Sequence, residues 1–344
     1  VKLSIVIPNW NGLDWLAACI DSALTQTVPT DVIVVDNGSV DGSVELIESN
    51  YPQIQLIKRD KNYGFTGGVN PGLVAALEQN VDFVALLNND AIPAPDWLER
   101  LAATMAEDEQ VGIVAAKIRH YEDTRLDSTG DFYSTWGFPF PRGRDEIDKG
   151  QYDDQVDIFA GSGGASLYRV AMLREIGLFD QRFFAYYEDT DISFRARLAG
   201  WTVRYQPRAV VRHRIGGTSA RLNSGGQSVI EPVMTGPSAF ARYHSVKNFS
   251  FVYTKNMPGK LYWKYLPLFW ASWSMMVVSD MRRGLWRTNF RANAVAVVNL
   301  PNILLSRWQI QRKRVIGTNE IDALLYHGLP PLQKLRFARF RRSK

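Results

Sequence analysis

Leu3-Ser4-Ile5-Val6-Ile7-Pro8, Val32-Ile33-Val34-Val35-Asp36 and Phe83-Val84-Ala85-Leu86-Leu87-Asn88 are short apolar runs, and what lies between them decides the fold. Residues 13–24 repeat apolar side chains at helical spacing, residues 44–48 belong to a second helix, and 54–59 read as another strand. A helix over 72–79 completes the alternation. Strands that are apolar throughout must be covered on both faces, and strand–helix alternation makes the sheet mostly parallel. The prediction is an α/β fold, a three-layer sandwich. In such sheets ligands sit beyond the carboxyl ends of the strands, so polar residues at those ends are the first candidates for a site.

Three acidic stretches and one glycine loop stand out. Asp36-Asn37-Gly38-Ser39-Val40-Asp41-Gly42-Ser43 places a carboxylate at a strand end, then a tight turn and a helix start. It suits a polar ligand, or is a plain connection in which Ser39 or Asp41 caps the helix. Asn88-Asn89-Asp90 ends the next strand. A carboxylate there can hold a hard divalent cation that keeps water and phosphate in its shell, or simply finish a turn. Tyr187-Glu188-Asp189-Thr190-Asp191 is the densest acidic cluster and opens a helix. Crowded carboxylates raise one another's pKa, which favours general-base work, while capping and the helix dipole give a structural explanation. Gly161-Ser162-Gly163-Gly164-Ala165 is neither a P-loop nor GxGxxG. His213 ends a strand, and a lone histidine is more often structural than a ligand.

The 344 residues carry a net charge of +5, with 46% apolar and 12% aromatic side chains, enough for a large core and incompatible with disorder. Residues 280–344 hold 14 Lys/Arg against 3 Asp/Glu, so a mildly acidic body carries a strongly basic end. One cysteine, Cys19, forbids an intrachain disulfide and, with four histidines, argues against a zinc module. The opening residues read as a buried strand rather than as the charged and apolar regions of a signal peptide, and no run reaches the ~18 apolar residues of a spanning helix.

Residues 121–152 read as a long loop or flap, residues 170–176 and 189–198 as helices, and 203–205 and 210–213 as two short strands. After Gly236 the pattern is helical. Two uncharged stretches, 265–279 and 292–306, are flanked by Arg282, Arg283, Arg287, Arg291, Arg307, Arg312, Lys313 and Arg314. In the first, Phe269, Trp270, Trp273, Met276 and Val277 recur on one helical face. Apolar aromatic helices with basic flanks suit an anionic lipid surface, or pack on the α/β part or a second subunit. The last stretch, 334–342, interleaves aromatics with arginines. Nucleic acid is not expected, since no recognition motif accompanies these charges.

Taken in order, Ser4-Ile5-Val6-Ile7-Pro8-Asn9-Trp10-Asn11, Val35-Asp36-Asn37-Gly38-Ser39, Asn62-Tyr63-Gly64-Phe65-Thr66-Gly67-Gly68 and Leu87-Asn88-Asn89-Asp90 resemble glycosyltransferase family 2. Gly177-Leu178-Phe179-Asp180, Phe183-Phe184, Tyr187-Glu188-Asp189-Thr190-Asp191 and Val211-Arg212-His213 resemble its second half, so the likeness spans about residues 3–220. The pattern is similar to the bacterial rhamnosyltransferase branch, which builds cell-wall and surface polysaccharides.

The resemblance implies a GT-A-type nucleotide-sugar-binding domain over residues 1–235; the residues beyond it read as a C-terminal helical, basic region over 236–344 that either associates with a membrane or packs on the rest of the chain or a second subunit. The resemblance also implies that Pro8, Asn9 and Asn11 line the nucleotide pocket, that Asp36 hydrogen-bonds the base, and that Asn62, Gly64 and Phe65 close over the nucleotide. Asn89 would lie near the ribose and diphosphate. Asp90 would bind Mg²⁺ or Mn²⁺ with His213 as distal partner. Asp189 would be the catalytic base, Glu188 would place the acceptor, and Gly163 and Gly164 would admit the sugar or acceptor closely.

Two departures matter: Asn-Asn-Asp leaves a single carboxylate for the metal, and Val69 stands where many relatives carry a second asparagine beside Asn70. The Gln-x-x-Arg-Trp signature of processive synthases is absent, which favours adding one or a few sugars. The implied reaction is inverting transfer from a nucleotide sugar, dTDP-rhamnose first among donors, to a saccharide or lipid-linked acceptor. The implied location is the cytoplasmic face of the cell membrane, with room for a homo-oligomer. The alternatives are a sugar-nucleotide nucleotidyltransferase, whose basic glycine loop is missing from residues 9–14, and an inactive membrane scaffold.

Overall fold

A computed structural model describes residues 1–214, 238–331 and 333–334. The expected alternation opens the chain: β1 (Leu3–Asn9), α1 (Leu13–Leu24), β2 (Asp31–Asp36), α2 (Ser43–Asn50), β3 (Gln55–Lys58), α3 (Gly64–Glu78), β4 (Phe83–Leu87) and β5 (Ala91–Pro93). There follow α4 (Trp97–Glu107), β6 (Val111–His120), β7 (Leu126–Ser128), β8 (Asp131–Tyr133), β9 (Pro139–Pro141), β10 (Ala165–Arg169), α5 (Val170–Ile176), α6 (Glu188–Leu198) and β11 (Thr202–His213).

The main sheet runs β3-β2-β1-β4-β10-β6-β11-β5, with β7 added on β6. β1 to β4 are parallel to one another. β10 enters from the glycine loop at the carboxyl end of β4, so it must run back, antiparallel to β4 and β6. Successive residues of each central strand serve opposite faces. Ile5, Ile7, Val32 and Val34 join α1, α2 and α4 in one core; Val6, Ile33 and Val35 join α3, α5 and α6 in another. This two-sided burial is why the strands are apolar throughout, and the α/β fold read from the sequence is borne out.

Register sets the site. Asn9 pairs with Asp36 at the ends of β1 and β2, Ala165 at the start of β10 pairs with Leu87 at the end of β4, and His213 at the end of β11 pairs with Ala91. Each candidate at a strand end therefore falls on one rim of the sheet.

Three details differ from the sequence reading. α3 begins at Gly64, not at residue 72, and continues through Pro71. Its glycines let it lie against the sheet: a Cβ at Gly68 would meet Pro8 and the Asn37 amide, and one at Gly72 would meet Val6. Packing outweighs poor helix propensity here. The two short strands expected over 203–213 are one strand, β11, interrupted by an irregularity between Gln206 and Val210. The 121–152 flap contains β7 and the antiparallel pair β8–β9.

The C-terminal region is helical, as expected: α7 (Ala239–Asn256), α8 (Gly259–Arg282), α9 (Trp286–Val298), α10 (Leu300–Lys313) and α11 (Thr318–Leu324). It shares a core with the α/β part, in which Phe183, Phe194 and Tyr133 are buried together with Phe249, Phe251, Tyr253, Phe269 and Ile303. Each such side chain contributes about 1.5–3 kcal/mol on burial. The buried stripe of α8 is Leu261, Tyr265, Phe269, Ser272, Met276 and Asp280. Trp270, expected on that stripe, is 52% exposed. The expected boundary between residues 235 and 236 lies outside the described residues, as do residues 335–342 of the terminal Arg/aromatic stretch. Among the described residues, no helix is long and apolar enough to cross a membrane.

Candidate active site

One side of the rim is a buried polar web. The Asn9 amide donates to Asp36 Oδ1 at 2.9 Å and accepts from the Asn89 amide at 2.7 Å. Asp36 Oδ2 accepts from the Ser39 N–H at 2.9 Å and closes the turn, while of the two expected caps Asp41 takes the Ser43 N–H at the start of α2 at 3.1 Å. A carboxylate has about four lone-pair sites, so each oxygen of Asp36 can still accept from a ligand. Asn11, at φ 50°, accepts the Val40 N–H at 2.9 Å and holds the two turns together. Pro8 borders Gly68 of α3. Asn62 Oδ1 accepts from the Asn37 amide at 3.1 Å and from the Gly64 N–H at 2.7 Å. Gly64 needs its positive φ of 73° to turn the chain into α3.

The other side is acidic. Asp90 is buried, and its Oδ1 lies 3.2 Å from His213 Nε2. His213 Nδ1 lies 2.9 Å from Asp127 Oδ2, and Asp127 pairs in turn with Arg144. Burial alone would depress the His213 pKa, but the hydrogen bonds to Asp127 and Asp90 outweigh it and lift it to about 10. Burial pushes Asp127 up, yet His213 and Arg144 prevail and bring it down to about 2. His213 thus lies between two carboxylates, one at each ring nitrogen.

Asp189 stands at the start of α6, its carboxylate taking the Thr190 N–H at 2.7 Å and the Gly163 N–H at 3.4 Å. A Cβ at Gly163 would lie 3.0 Å from the Phe65 ring and 3.6 Å from Asp189 Cβ, so the glycine keeps this approach open. Burial raises the Asp189 pKa against the pull of these N–H groups. Glu188 is buried, its Oε2 has no hydrogen-bond partner among the described residues, and burial followed by the charge of Asp189 raises it well above the usual range.

Asn88 joins the two acidic groups. Its backbone N–H donates to the Gly164 carbonyl at 2.9 Å, a Cβ at Gly164 would crowd its amide, and that amide lies 3.4 Å from His213 Nε2. Hydrogen bonds thus lead from Asp36 through Asn9 to Asn89. Its chain neighbour Asn88 meets His213, itself paired with Asp90, and the Gly164 carbonyl, and Asp189 is reached along the Gly164–Gly163 backbone. Asp127 and Asp131 also reach this side, and no sequence signal marks them, because they lie in a stretch without periodicity. Asp131 accepts from Ser128 Oγ at 2.7 Å, and burial with the nearby Asp189 charge raises it to about 7.

Among the described residues, no group of three or more His, Cys, Asp and Glu could hold a metal ion by itself. Asp90 oxygen and His213 Nε2 nevertheless face each other, with Asp127 on Nδ1 orienting the ring as carboxylate partners do for metal-binding histidines. The pair fits a hard cation whose remaining ligands are water and substrate phosphate.

The chain is similar to known proteins. An N-acetylglucosaminyl-diphospho-decaprenol L-rhamnosyltransferase of Mycobacterium tuberculosis is 25% identical over 214 residues, 56% of this chain and 68% of that protein. A mannosyltransferase from Pyrobaculum calidifontis, solved with GDP-Man and Mn²⁺, superposes with TM-score 0.52 at 15% identity, over 91% of this chain and 84% of the other. GalNAc-T7, solved with UDP, GalNAc and Mn²⁺, gives TM-score 0.59 at 15% identity over 85% and 54%. At such identities the structures speak for the GT-A fold alone. Membership rests on the sequence from residue 4 to residue 177, about half the chain, and on that ground the protein belongs to glycosyl transferase family 2.

Proposed function

We propose that this glycosyltransferase inverts the anomeric carbon of a nucleotide sugar as it transfers the sugar to an acceptor hydroxyl. The observation that carries this is Asp189: a carboxylate held by two backbone N–H groups, raised in pKa, and joined through the glycine loop and Asn88 to the Asp90–His213 pair. Asp189 takes the acceptor hydroxyl proton as its oxygen attacks, and Glu188 beside it places the acceptor. Asp36 receives the base, Pro8, Asn9, Asn11 and Asn89 line the nucleotide and diphosphate, and Asn62, Gly64 and Phe65 close over them. Gly163 and Gly164 leave room for the sugar. Asp90 and His213 Nε2 would hold Mg²⁺ or Mn²⁺, whose charge offsets that of the departing diphosphate.

L-rhamnose from dTDP-rhamnose is the proposed donor and a saccharide or polyprenyl-diphosphate-linked glycan the proposed acceptor, in keeping with the mycobacterial relative's name. Residues 1–235 would form the catalytic domain and 236–344 its helical companion. A lipid-linked acceptor calls for a membrane surface, here the cytoplasmic face. Three C-terminal helices offer exposed apolar stripes for it: Trp263 and Trp270 on α8, Trp286 and Phe290 on α9, Leu304 and Trp308 on α10.

Asp189→Asn tests the reading. Loss of a positioned base lowers turnover ~10²–10⁴-fold while nucleotide binding is kept. Near-normal release of nucleoside diphosphate by that variant would remove Asp189 as the base, and release of pyrophosphate by the wild type would point to nucleotidyl transfer instead.

A further inference from the structure

The segment that delivers Asp189 is held in a conformation that its own sequence does not favour. Phe184, Tyr186 and Tyr187 have φ values of 66°, 69° and 71°, and none is glycine. Left-handed backbone at three of four consecutive residues persists only where the surroundings impose it. Tyr187 caps α6, and Glu188 and Asp189 follow at once.

The surroundings that impose it come from α7, about sixty residues further along the chain. The Asn248 amide, fully buried, reaches the carbonyls of Phe183 at 2.9 Å, Ala185 at 2.8 Å and Tyr186 at 2.6 Å. Three carbonyls converging on one atom require a donor, which fixes the amide orientation. Lys247 Nζ adds a bond to the Arg182 carbonyl at 2.6 Å, and the His244 ring stacks on Phe184 with centroids 4.8 Å apart. On the far side the Phe184 carbonyl accepts the Thr66 N–H at 3.1 Å, so the same strap touches the start of α3, where Gly64 and Phe65 lie.

We propose that Asn248 is a positioning residue for catalysis: it clamps the 183–187 strap between α7 and α3 and thereby fixes the Asp189 carboxylate over the glycine loop. The C-terminal helical region is then part of the catalytic machinery whether or not it also meets a membrane. The proposal rests on Asp189 acting as the base.

The test uses the full chain with Asn248→Ala and with Asn248→Ser, which keeps one donor if the alanine variant folds poorly. Tyr253→Phe is the control, since it removes a partly buried hydrogen bond of α7 to the Tyr262 carbonyl, 2.6 Å, away from the strap. Amide hydrogen exchange over residues 183–190 should accelerate at least tenfold in the Asn248 variants and stay unchanged in the control. Their kcat should fall about 10–100-fold, as for an ~1 Å displacement of a reacting group, with the dissociation constants of UDP and dTDP unchanged and the acid limb of the pH–rate profile moved. Unchanged exchange in the strap overturns the clamp whatever the protein's activity. Faster exchange with normal kcat overturns the link to catalysis. If Asp189→Asn also keeps normal turnover, the base assignment is what has failed, and exchange still judges the clamp.

Discussion

Gly64→Ala is the sharpest probe of how the Asp36–Asn62 side of the rim communicates with the acidic side. Gly64 sits at φ 73°, where an L-residue costs about 1–2 kcal/mol. Its new Cβ would also lie 2.4 Å from the Phe184 carbonyl oxygen and 2.5 Å from the Phe184 ring. A ring can swing aside, but a backbone carbonyl cannot. To restore an ordinary contact of about 3.4 Å, residue 184 must withdraw by about 1 Å. That residue belongs to the strap that leads into Glu188 and Asp189, so the shift passes to the proposed base, and a misplacement of this size costs on the order of 10²-fold in rate. The expected outcome is a folded enzyme, less stable by only a few kcal/mol, whose kcat falls about 10²-fold. Steady-state release of nucleoside diphosphate, paired with urea unfolding of the same preparation, measures both quantities. Normal kcat in a folded Gly64→Ala variant would refute the reasoning, because α3 and the strap would then be free to move apart without consequence.

Asp127→Asn should weaken cation-dependent nucleotide binding about 10–100-fold, the usual cost of losing a carboxylate partner behind a metal-binding histidine. Titration of dTDP or UDP with Mn²⁺ and with chelator reads it, and equal affinities in variant and wild type would detach Asp127 from the site. Lys255→Met should destabilise the fold by ~1.5–3 kcal/mol, the scale of a lost charge-assisted hydrogen bond, because Lys255 pairs with the fully buried Asp191 at 2.9 Å and with Asp180 at 2.7 Å, while Arg195 stays on Asp191 and Arg182 on Asp180. Burial raises the Asp180 pKa, but Arg182 and Lys255 overcome it and hold the carboxyl well below its ordinary value. A depressed carboxylate pKa stabilises the fold above the unfolded value, ~3.9, and loses that contribution as pH falls through the folded one. The Lys255→Met penalty should therefore be full at neutral pH and shrink below about pH 4; a penalty independent of pH would contradict the pairing. Trp270→Ser with Trp308→Ser should lower cosedimentation with phosphatidylglycerol vesicles, and salt should lower it further, since basic residues near such a surface are worth ~1 kcal/mol each. Failure of the wild type to bind these vesicles would remove the membrane reading.

Much of the fold is legible because the central strands have no choice. A run such as Val32 to Val35, buried on both sides, excludes every one-faced arrangement. Legibility ends where packing overrides local preference. Gly67, Gly68 and Pro71 say that no helix should pass through them, yet α3 does, because small residues let it approach Pro8 and Val6 more closely than a better helix former could. On α8 the apolar residues outnumber the positions that pack, so periodicity allowed Trp270 in the buried stripe where the structure keeps Phe269 and Met276.

The same division runs across the cleft. Asp36, Asn9, Asn89 and Asp90 stand at the ends of strands, where sheet topology alone predicts a ligand site, and register brings them together without help from distant chain. The acidic side is different. His213 looked like a lone histidine because its partner, Asp127, lies 86 residues away in an aperiodic stretch. The Glu188–Asp189 pair is visible in the sequence, but the three left-handed residues before it are not glycines and give no sign of their conformation. Their cause is an asparagine in the middle of a helix, a position where polar residues usually mean solvent. A strand end is specified by neighbours a few residues away, and a strained strap by a contact sixty residues away. Substitutions that spare every recognisable motif, Asn248 foremost, should therefore reach the reaction through the acidic side and leave nucleotide binding intact.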